Sequence, residues 1–325
     1  MLALVRQRAG LATGIGIVAA LVIALFVAGE ERALVIGVYT GSAYGLVALG
    51  LVLIYKSSGV FNFAAGEFGG VALCTLYLLH SEGIPYGFAV VGGLVAAMVL
   101  GLLTEQIVVR PLFEAPRVTL LVATAGVALL AIAIQIWFFD SQGRPIAKAF
   151  PTTDRVTVLS VQISDQRLWL IGTVLVLAVV LGLFFTRTNL GLAIIGASQE
   201  PTATELVGIS VRRLSTFTWV LAALLGGLAA VIAIPDGGSF TPGVMTSGYL
   251  IPAFTAAVLG GMTSLPGAFV GGVLVGIVQS FATNASIFQD GGALDIPGTP
   301  STLLVFIVLL VVLVIRPQGL LGRSS

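Results

Sequence analysis

The sequence contains few groups that could perform chemistry. Only 9% of its 325 residues are charged, whereas about 25% is usual in a soluble domain. One cysteine, Cys74, and one histidine, His80, are present. A lone cysteine cannot form a disulfide within the chain, and a lone histidine cannot build a multi-histidine metal site or a histidine-based catalytic dyad. We therefore predict no catalytic residues and no metal site.

Nucleotide-binding and hydrolytic signatures are also missing. The sequence has no G-x-x-x-x-G-K-[ST] phosphate-binding loop, no H-E-x-x-H zinc helix and no G-x-S-x-G nucleophile turn. These absences argue against a membrane-embedded enzyme. The net charge of +1 gives no reason to expect a nucleic-acid partner.

Long apolar segments make up most of the chain. Hydrophobic residues account for 58% of it, and the mean hydropathy is +1.11. About 20 apolar residues cross the hydrocarbon core of a bilayer. Ten segments reach or approach that length: 11–28, 33–55, 62–80, 86–109, 118–139, 168–187, 216–235, 250–263, 267–284 and 301–315. We predict an all-α polytopic membrane protein, a single domain over 1–325 with a bundle of eight to ten transmembrane helices, some of them short or re-entrant.

The basic residues orient this bundle. Cytoplasmic loops of membrane proteins carry an excess of Lys and Arg. With the N-terminus in the cytoplasm, ten of the 15 basic residues fall in inner loops. A ten-span arrangement with both termini inside follows, with an extracytoplasmic loop at 140–167 and a cytoplasmic loop at 188–215. The β-branched alternation over 155–164 predicts a short strand or hairpin in the outer loop.

Two polar residues interrupt the third apolar segment. Asn62 and Glu67 lie among Phe, Ala, Gly and Val, and an intramembrane carboxylate is costly and usually has a use. Glu67 either lines or gates a pathway or forms a buried structural hydrogen bond between helices. The pathway or gate candidates are Asn62, Phe63, Gly66, Glu67, Thr263 and Ser264.

The last two candidates lie in a turn that precedes a similar motif. Residues 66–71 read GEFGGV and residues 267–273 read GAFVGGV. This similarity predicts a parallel internal repeat, an arrangement that places a pathway near the interface of two halves.

Glycines recur at a spacing of four residues, which places each set on one helix face. Such small-xxx-small patterns let helix backbones approach closely in membranes. They predict either close packing within one bundle or a seam between two subunits. The sets are Gly37, Gly41 and Gly45; Gly66 and Gly70; Gly267 and Gly271; and Gly272 and Gly276.

The remaining polar and aromatic residues have plain interpretations. We expect Glu105 to be an interfacial anchor near Arg110, and His80 to be solvated at headgroup level. Trp137 and Trp169 flank the outer loop and are typical of the aromatic belt.

The cytoplasmic loop predicts a short helix near 199–207 that ends at Gly208. A short helix lying along the membrane surface is what a cytosolic motor would need to bind, and an ordinary surface loop is the alternative. Pro is tolerated in the first turn of a helix, so the helix can begin at Pro201 with Glu200 in the capping position.

At this point the residues resemble a known family, the permease subunits of branched-chain amino acid ABC transporters (LivH/LivM type), and LivH more closely. The similarity runs from about Tyr39 to Gly322. The matching stretches are GLVALGLVLIYKSSGVFNFAAGEF (45–68), EQIVVRPLF (105–113), LVATAGVALL (121–130), GLAIIGASQEPTATELVGISVRRL (191–214), LGGMTSLPGAFVGGVLVG (259–276) and RPQGLLG (316–322). Ala65 stands where the family commonly has His, which argues against a proton-linked role there.

The resemblance implies a subunit of a bacterial inner-membrane importer for Leu, Ile or Val. Its partners would be a second permease subunit (LivM-like) or a second copy, two ATPase subunits, an extracytoplasmic solute-binding protein and membrane lipid. This chain would bind no cofactor, and ATP would be used by the ATPase subunits. The resemblance assigns the ATPase-coupling role to Ala197, Glu200, Ala203, Glu205, Gly208, Arg212 and Arg213.

Two alternatives remain open on the sequence. Related permeases carry urea, short amides or other small polar solutes. A standalone secondary transporter or channel is a different class, and it has no need of an ATPase-docking helix.

Overall fold

The computed structural model describes residues 31–139, 143–146, 155–158, 161–234, 239–262, 264–284, 300–315 and 319. The predicted first span, 11–28, lies outside these residues. The α-helices are α1 (Glu31–Ser58), α2 (Ala65–Ser81), α3 (Tyr86–Leu103), α4 (Arg117–Phe139), α5 (Asp165–Arg187), α6 (Asn189–Gln199), α7 (Pro201–Leu206), α8 (Val211–Ala233), α9 (Ile251–Gly260), α10 (Leu265–Asn284) and α11 (Pro300–Ile315).

Two π-helical turns extend this set. A π-helix at Thr104–Val109 and a 3₁₀ turn at Arg110–Leu112 continue α3, and a π-helix at Thr246–Leu250 leads into α9. Six helices in the described part of the chain are long and apolar enough to cross a membrane. The shorter helices α2, Thr246–Gly260 and α11 account for three more predicted segments. The prediction of an all-α polytopic membrane protein is confirmed.

The chain divides into two compact units. The first contains the described residues of 1–48, 152–174 and 252–325, and the second those of 49–151 and 175–251. The second unit is therefore built from the middle of the chain, and the first mostly from regions near its two ends.

Within the second unit, α2, α3 and α8 pack against one another. Small residues set the spacing: a Cβ added at Gly101 of α3 would lie 2.6 Å from Ala223 Cβ of α8. A Cβ at Gly69 of α2 would lie 2.9 Å from the carbonyl oxygen of Gly226. Trp219 of α8 is fully buried. The backbones of the three helices thus approach as closely as their glycines allow.

Within the first unit, the glycine faces of α1 and α10 meet each other. A Cβ added at Gly41 would lie 2.6 Å from Gly272 O, and one added at Gly276 would collide with Gly41. A Cβ at Gly37 would lie 2.5 Å from Ile277 Cα. Of the two interpretations of these stripes, packing within one chain is the one the structure shows.

Helix α10 also packs closely against α9. A Cβ added at Gly260 would collide with Gly267 O, and one added at Gly271 with Ala256 O. Each motif behind the predicted repeat lies in the N-terminal turns of its helix, α2 or α10. The repeat itself stays a prediction.

Short strands supplement the helices. β2 (Arg155–Val158) and β3 (Val161–Ser164) pair antiparallel, with Arg155 opposite Ser164, which confirms the predicted hairpin. In the second unit, β1 (Arg144–Pro145) pairs with β4 (Ser239–Phe240).

Candidate functional site

The chain breaks its helical path immediately before α2. Helix α1 ends at Ser58, and a turn leads to Ala65. Asn62, only 2% exposed, accepts a hydrogen bond at Oδ1 from the Ala64 backbone N–H (2.9 Å). Its Nδ2 is buried and has no hydrogen-bond partner among the described residues. Asn62 therefore shapes the entry to α2 and retains a buried amide donor.

Phe63 is part of this turn. Its backbone N–H donates to Thr124 Oγ1 of α4 (3.3 Å), and Thr124 is fully buried. The Phe63 side chain is 43% exposed. The turn is thus tied to α4 by its backbone while it presents an aromatic ring outward.

Glu67 connects three elements of the second unit. It is fully buried in the first turn of α2. Gln135 of α4 donates from Nε2 to Glu67 Oε2 (2.6 Å), and Thr246 of the second π-helix donates from Oγ1 to Glu67 Oε1 (2.5 Å). Both carboxyl oxygens are therefore held by side chains from other elements, as expected of a polar group that joins helices inside a membrane.

Two glycines make room for this cluster. A Cβ added at Gly66 would lie 2.9 Å from Thr246 Oγ1, and one added at Gly70 would lie 2.5 Å from Glu67 Oε2 and 3.0 Å from Gln135 Nε2. The GEFGG sequence thus supplies both the carboxyl group and the space that its partners need.

The sequence did not identify these partners. Gln135 interrupts the apolar run LLAIAIQIWFF, and that interruption was a signal that could have marked it. Thr246 carried no such signal, because threonine is common in transmembrane helices.

Of the two remaining pathway candidates, the structure describes Ser264, which immediately precedes α10. Ser264 Oγ accepts from the Gly267 backbone N–H (3.1 Å), and the Ser264 carbonyl accepts from Ala268 N–H (2.9 Å). Ser264 therefore caps α10. Thr263 lies outside the described residues.

The predicted coupling loop folds into two helices instead of one. α6 precedes α7, and Glu200 is the residue between them, so α7 begins at Pro201 as predicted. Gly208 has φ +85°, its N–H bonds to Glu205 O (2.9 Å), and Ile209 N–H bonds to Thr204 O (3.2 Å). This is a Schellman motif, which favours glycine because the backbone is left-handed there. The predicted stop at Gly208 is confirmed.

Most of the coupling candidates are exposed. These are Glu200, Ala203, Glu205, Gly208, Arg212 and Arg213, whereas Ala197 is only 4% exposed. Leu206 and Val207 were not predicted, yet they are 84% and 74% exposed at the end of α7. α7 therefore presents acidic and apolar side chains side by side.

Glu105, which we expected to be an interfacial anchor near Arg110, is buried and pairs with Arg110. It is 3% exposed, in the π-helix after α3. Arg110 Nη2 donates to Glu105 Oε2 (2.9 Å) and to Thr216 Oγ1 of α8 (2.8 Å), and Thr216 Oγ1 lies 3.0 Å from Glu105 Oε2. We call these three residues the Glu105 cluster. Trp137 and Trp169 are exposed, in agreement with the predicted belt.

Comparisons with known proteins agree with these features. A family model described as the permease component of branched-chain amino acid transport systems matches residues 33–315. The branched-chain amino acid permease protein BraD of Pseudomonas aeruginosa is 30% identical over 306 residues, covering 90% of this chain and 95% of that protein. LivH of Escherichia coli K12 is 28% identical, covering 89% and 94%.

Two further proteins, one matched by sequence and one by structure, are more distantly similar to this chain. The autoinducer 2 import permease LsrD of E. coli O157:H7 is 25% identical over 280 residues, covering 85% of this chain and 81% of LsrD. A solved structure, PsaBC from Streptococcus pneumoniae in complex with Fab, has a TM-score of 0.50 at 16% identity, covering 91% of this chain and 97% of that one. This structural similarity supports the assignment of the fold and no other property.

Proposed function

Because this chain belongs to the family of branched-chain amino acid transport permeases, we propose that it forms the membrane-spanning part of an ATP-driven importer for Leu, Ile and Val. The match over residues 33–315 is the observation that carries this proposal. The helices that are long and apolar enough to cross a bilayer make the chain a multi-pass membrane protein.

The importer needs other chains for its energy and its solute. The sequence has no phosphate-binding loop, so two separate ATPase subunits hydrolyse ATP, and this chain itself binds no cofactor. A second permease subunit, LivM-like or another copy of this chain, completes the pathway. A solute-binding protein delivers the amino acid from outside. The excess of basic residues in the inner loops supports an inner-membrane protein with both termini in the cytoplasm.

Residues at two turns line or gate the pathway in this proposal. Asn62, Phe63, Gly66 and Glu67 surround the break before α2, where a buried amide donor, a carboxyl group and an exposed aromatic ring lie close in sequence. The other two candidates are Ser264, which caps α10, and Thr263, which lies outside the described residues. A branched apolar side chain requires an apolar passage with few polar anchors, which suits this mixture.

The ATPase subunits bind α7 and the residues around it. Glu200, Ala203, Glu205, Gly208, Arg212 and Arg213 supply the exposed polar and backbone surface, and Ala197 packs beneath it. The exposed Leu206 and Val207 add an apolar contact. A short rigid helix with an apolar tip suits a groove on a moving partner, because burying it costs little conformational entropy.

Co-purification tests this assembly directly. The tagged chain, extracted gently from its native membrane, is expected to bring two ATPases and a second permease, identified by mass spectrometry. Reconstituted with its binding protein, the complex should take up Leu, Ile and Val in an ATP-dependent manner, with urea and acetamide as control solutes. Recovery of this chain alone would favour a self-sufficient transporter, and uptake of urea but not of Leu would reassign the solute.

A further inference from the structure

The Glu105 cluster lies where the coupling segment joins the bundle. α8 begins at Val211, and only residues 207–210 separate it from α7. Thr216 is in the second turn of α8, and its hydroxyl also lies 3.1 Å from the carbonyl oxygen of Arg212. A movement of α7 would therefore be transmitted to Thr216 through only a few residues of the chain.

The π-helix is what allows Glu105 and Arg110 to pair. Residues five apart lie about 140° from each other around a regular α-helix, so their side chains do not meet. The Arg110 backbone N–H bonds to the Glu105 carbonyl, which closes the wider π turn and brings the two side chains together. Pro111 follows and lacks a backbone N–H, so it disfavours a regular α-helical turn here. π turns of this kind are frequent at functional sites.

Arg110 and Glu105 are joined by three hydrogen bonds. Arg110 Nε and Nη2 both approach Glu105 Oε1, at 3.4 and 3.2 Å, and Nη2 also bonds to Glu105 Oε2. The Arg110 side chain is 38% exposed, whereas the Glu105 side chain is 3% exposed. Thr216 accepts from Arg110 and can donate to Glu105. A planar fork bound to a carboxylate and a hydroxyl fixes the angle between α8 and the end of α3 more firmly than a single contact would.

Within the second unit, the helices that pack on α8 connect the Glu105 cluster to α3 and α2. α8 packs on α3 at Gly101, and on α2 at Gly69, two residues after Glu67. Closely packed helices move as rigid bodies, because their cores do not deform continuously. Tilting the first turns of α8 would therefore also move α3 and α2.

We propose that the Glu105 cluster is the joint that transmits motion of α7 to α3 and α2, with Glu105, Arg110 and Thr216 as positioning residues. This inference rests on the proposed function, since it requires that ATPase subunits move α7. The cluster binds no solute and no nucleotide. Its role is to couple ATP hydrolysis to solute movement.

The sharpest test removes one hydroxyl. Thr216→Val keeps the side-chain shape and leaves the Glu105–Arg110 pair in place, whereas Thr216→Ser keeps the hydroxyl. Thr186→Val is the matched control, because Thr186 is exposed on α5 and its hydroxyl bonds to Gly182 O of its own helix. The whole complex is reconstituted in proteoliposomes, and initial Leu uptake is divided by ATP hydrolysed in the same sample.

We expect Thr216→Val to lower uptake per ATP by at least about tenfold, the size expected for losing a hydrogen bond to a charged partner. Thr216→Ser and Thr186→Val should match the wild type. Arg110→Lys, which keeps the charge but loses the fork, should show the same loss as Thr216→Val.

Three results would overturn the inference. An unchanged ratio in Thr216→Val and Arg110→Lys, with an active wild type, would refute the joint and leave the proposed function standing. A lower yield of complex with an unchanged ratio would make the cluster a folding contact only. Absence of ATP-dependent uptake by the wild type would refute the proposed function, and this inference with it.

Discussion

The Glu67–Gln135 pair should show strong energetic coupling in a double-mutant cycle. Both residues are essentially unexposed, and Gln135 Nε2 lies 2.6 Å from Glu67 Oε2. Interhelical hydrogen bonds in membranes contribute on average about 0.6 and at most about 1.7 kcal/mol. Leaving a buried partner unpaired adds about 1–3 kcal/mol.

These values set the expected stabilities. Gln135→Leu should lower the free energy of unfolding by about 2–3 kcal/mol, because Glu67 Oε2 then lacks a donor. Glu67→Leu should lower it by at least as much, because it leaves both Gln135 Nε2 and Thr246 Oγ1 without their acceptor. The double substitution should cost about 1–2 kcal/mol less than the sum, because neither half of the pair is then left unpartnered.

The assay is unfolding of the purified chain in detergent micelles, with the free energy measured by steric trapping. Gln199→Leu, at the exposed end of α6, is the control and should change the free energy of unfolding by less than about 0.5 kcal/mol. Additivity of the two substitutions to within about 0.3 kcal/mol would refute the reasoning, since independent sites behave in that way.

Three further predictions address transport and packing. Glu200→Lys together with Glu205→Lys should uncouple ATPase activity from uptake while membrane insertion stays normal; unchanged uptake in proteoliposomes would remove the coupling assignment. Glu67→Gln keeps the side-chain shape, so the complex should still be recovered while initial Leu uptake falls; loss of the complex would instead indicate a purely structural carboxyl group. Gly276→Val should destabilise the protein by about 3 kcal/mol or more, because the new side chain meets the α1 backbone, whereas Gly172→Val, with open space around it, should be tolerated in the same thermal-unfolding assay.

Features set by local sequence could be predicted. Apolar length determines where a helix can cross the bilayer, so nine of the ten proposed segments coincide with helices in the described part of the chain. The hairpin over 155–164 followed from β-branched alternation, and the stop at Gly208 from the left-handed backbone that a Schellman motif requires.

Features set by tertiary contact could not be predicted. Gln135 and Thr246 lie 68 and 179 residues from Glu67, and no local pattern marks which polar residues of an apolar helix will meet. The burial of Glu105 and its hydrogen bonds to Arg110 and Thr216 could not be predicted, because residues five apart do not meet on a regular helix. A π turn changes that geometry, and the sequence alone gave only Pro111 as a hint.

The glycine faces of α1 and α10 have a consequence for how the protein is made. Gly41 and Gly272 meet in the finished molecule but are separated by roughly 230 residues of chain. At about 5–20 residues per second, a ribosome needs on the order of 10–50 s to supply the second face after the first. During that interval α1 has entered the bilayer with its closest partner still unmade. The middle unit can assemble first, and a nascent chain that still lacks α10 leaves the glycine face of α1 without its packing partner.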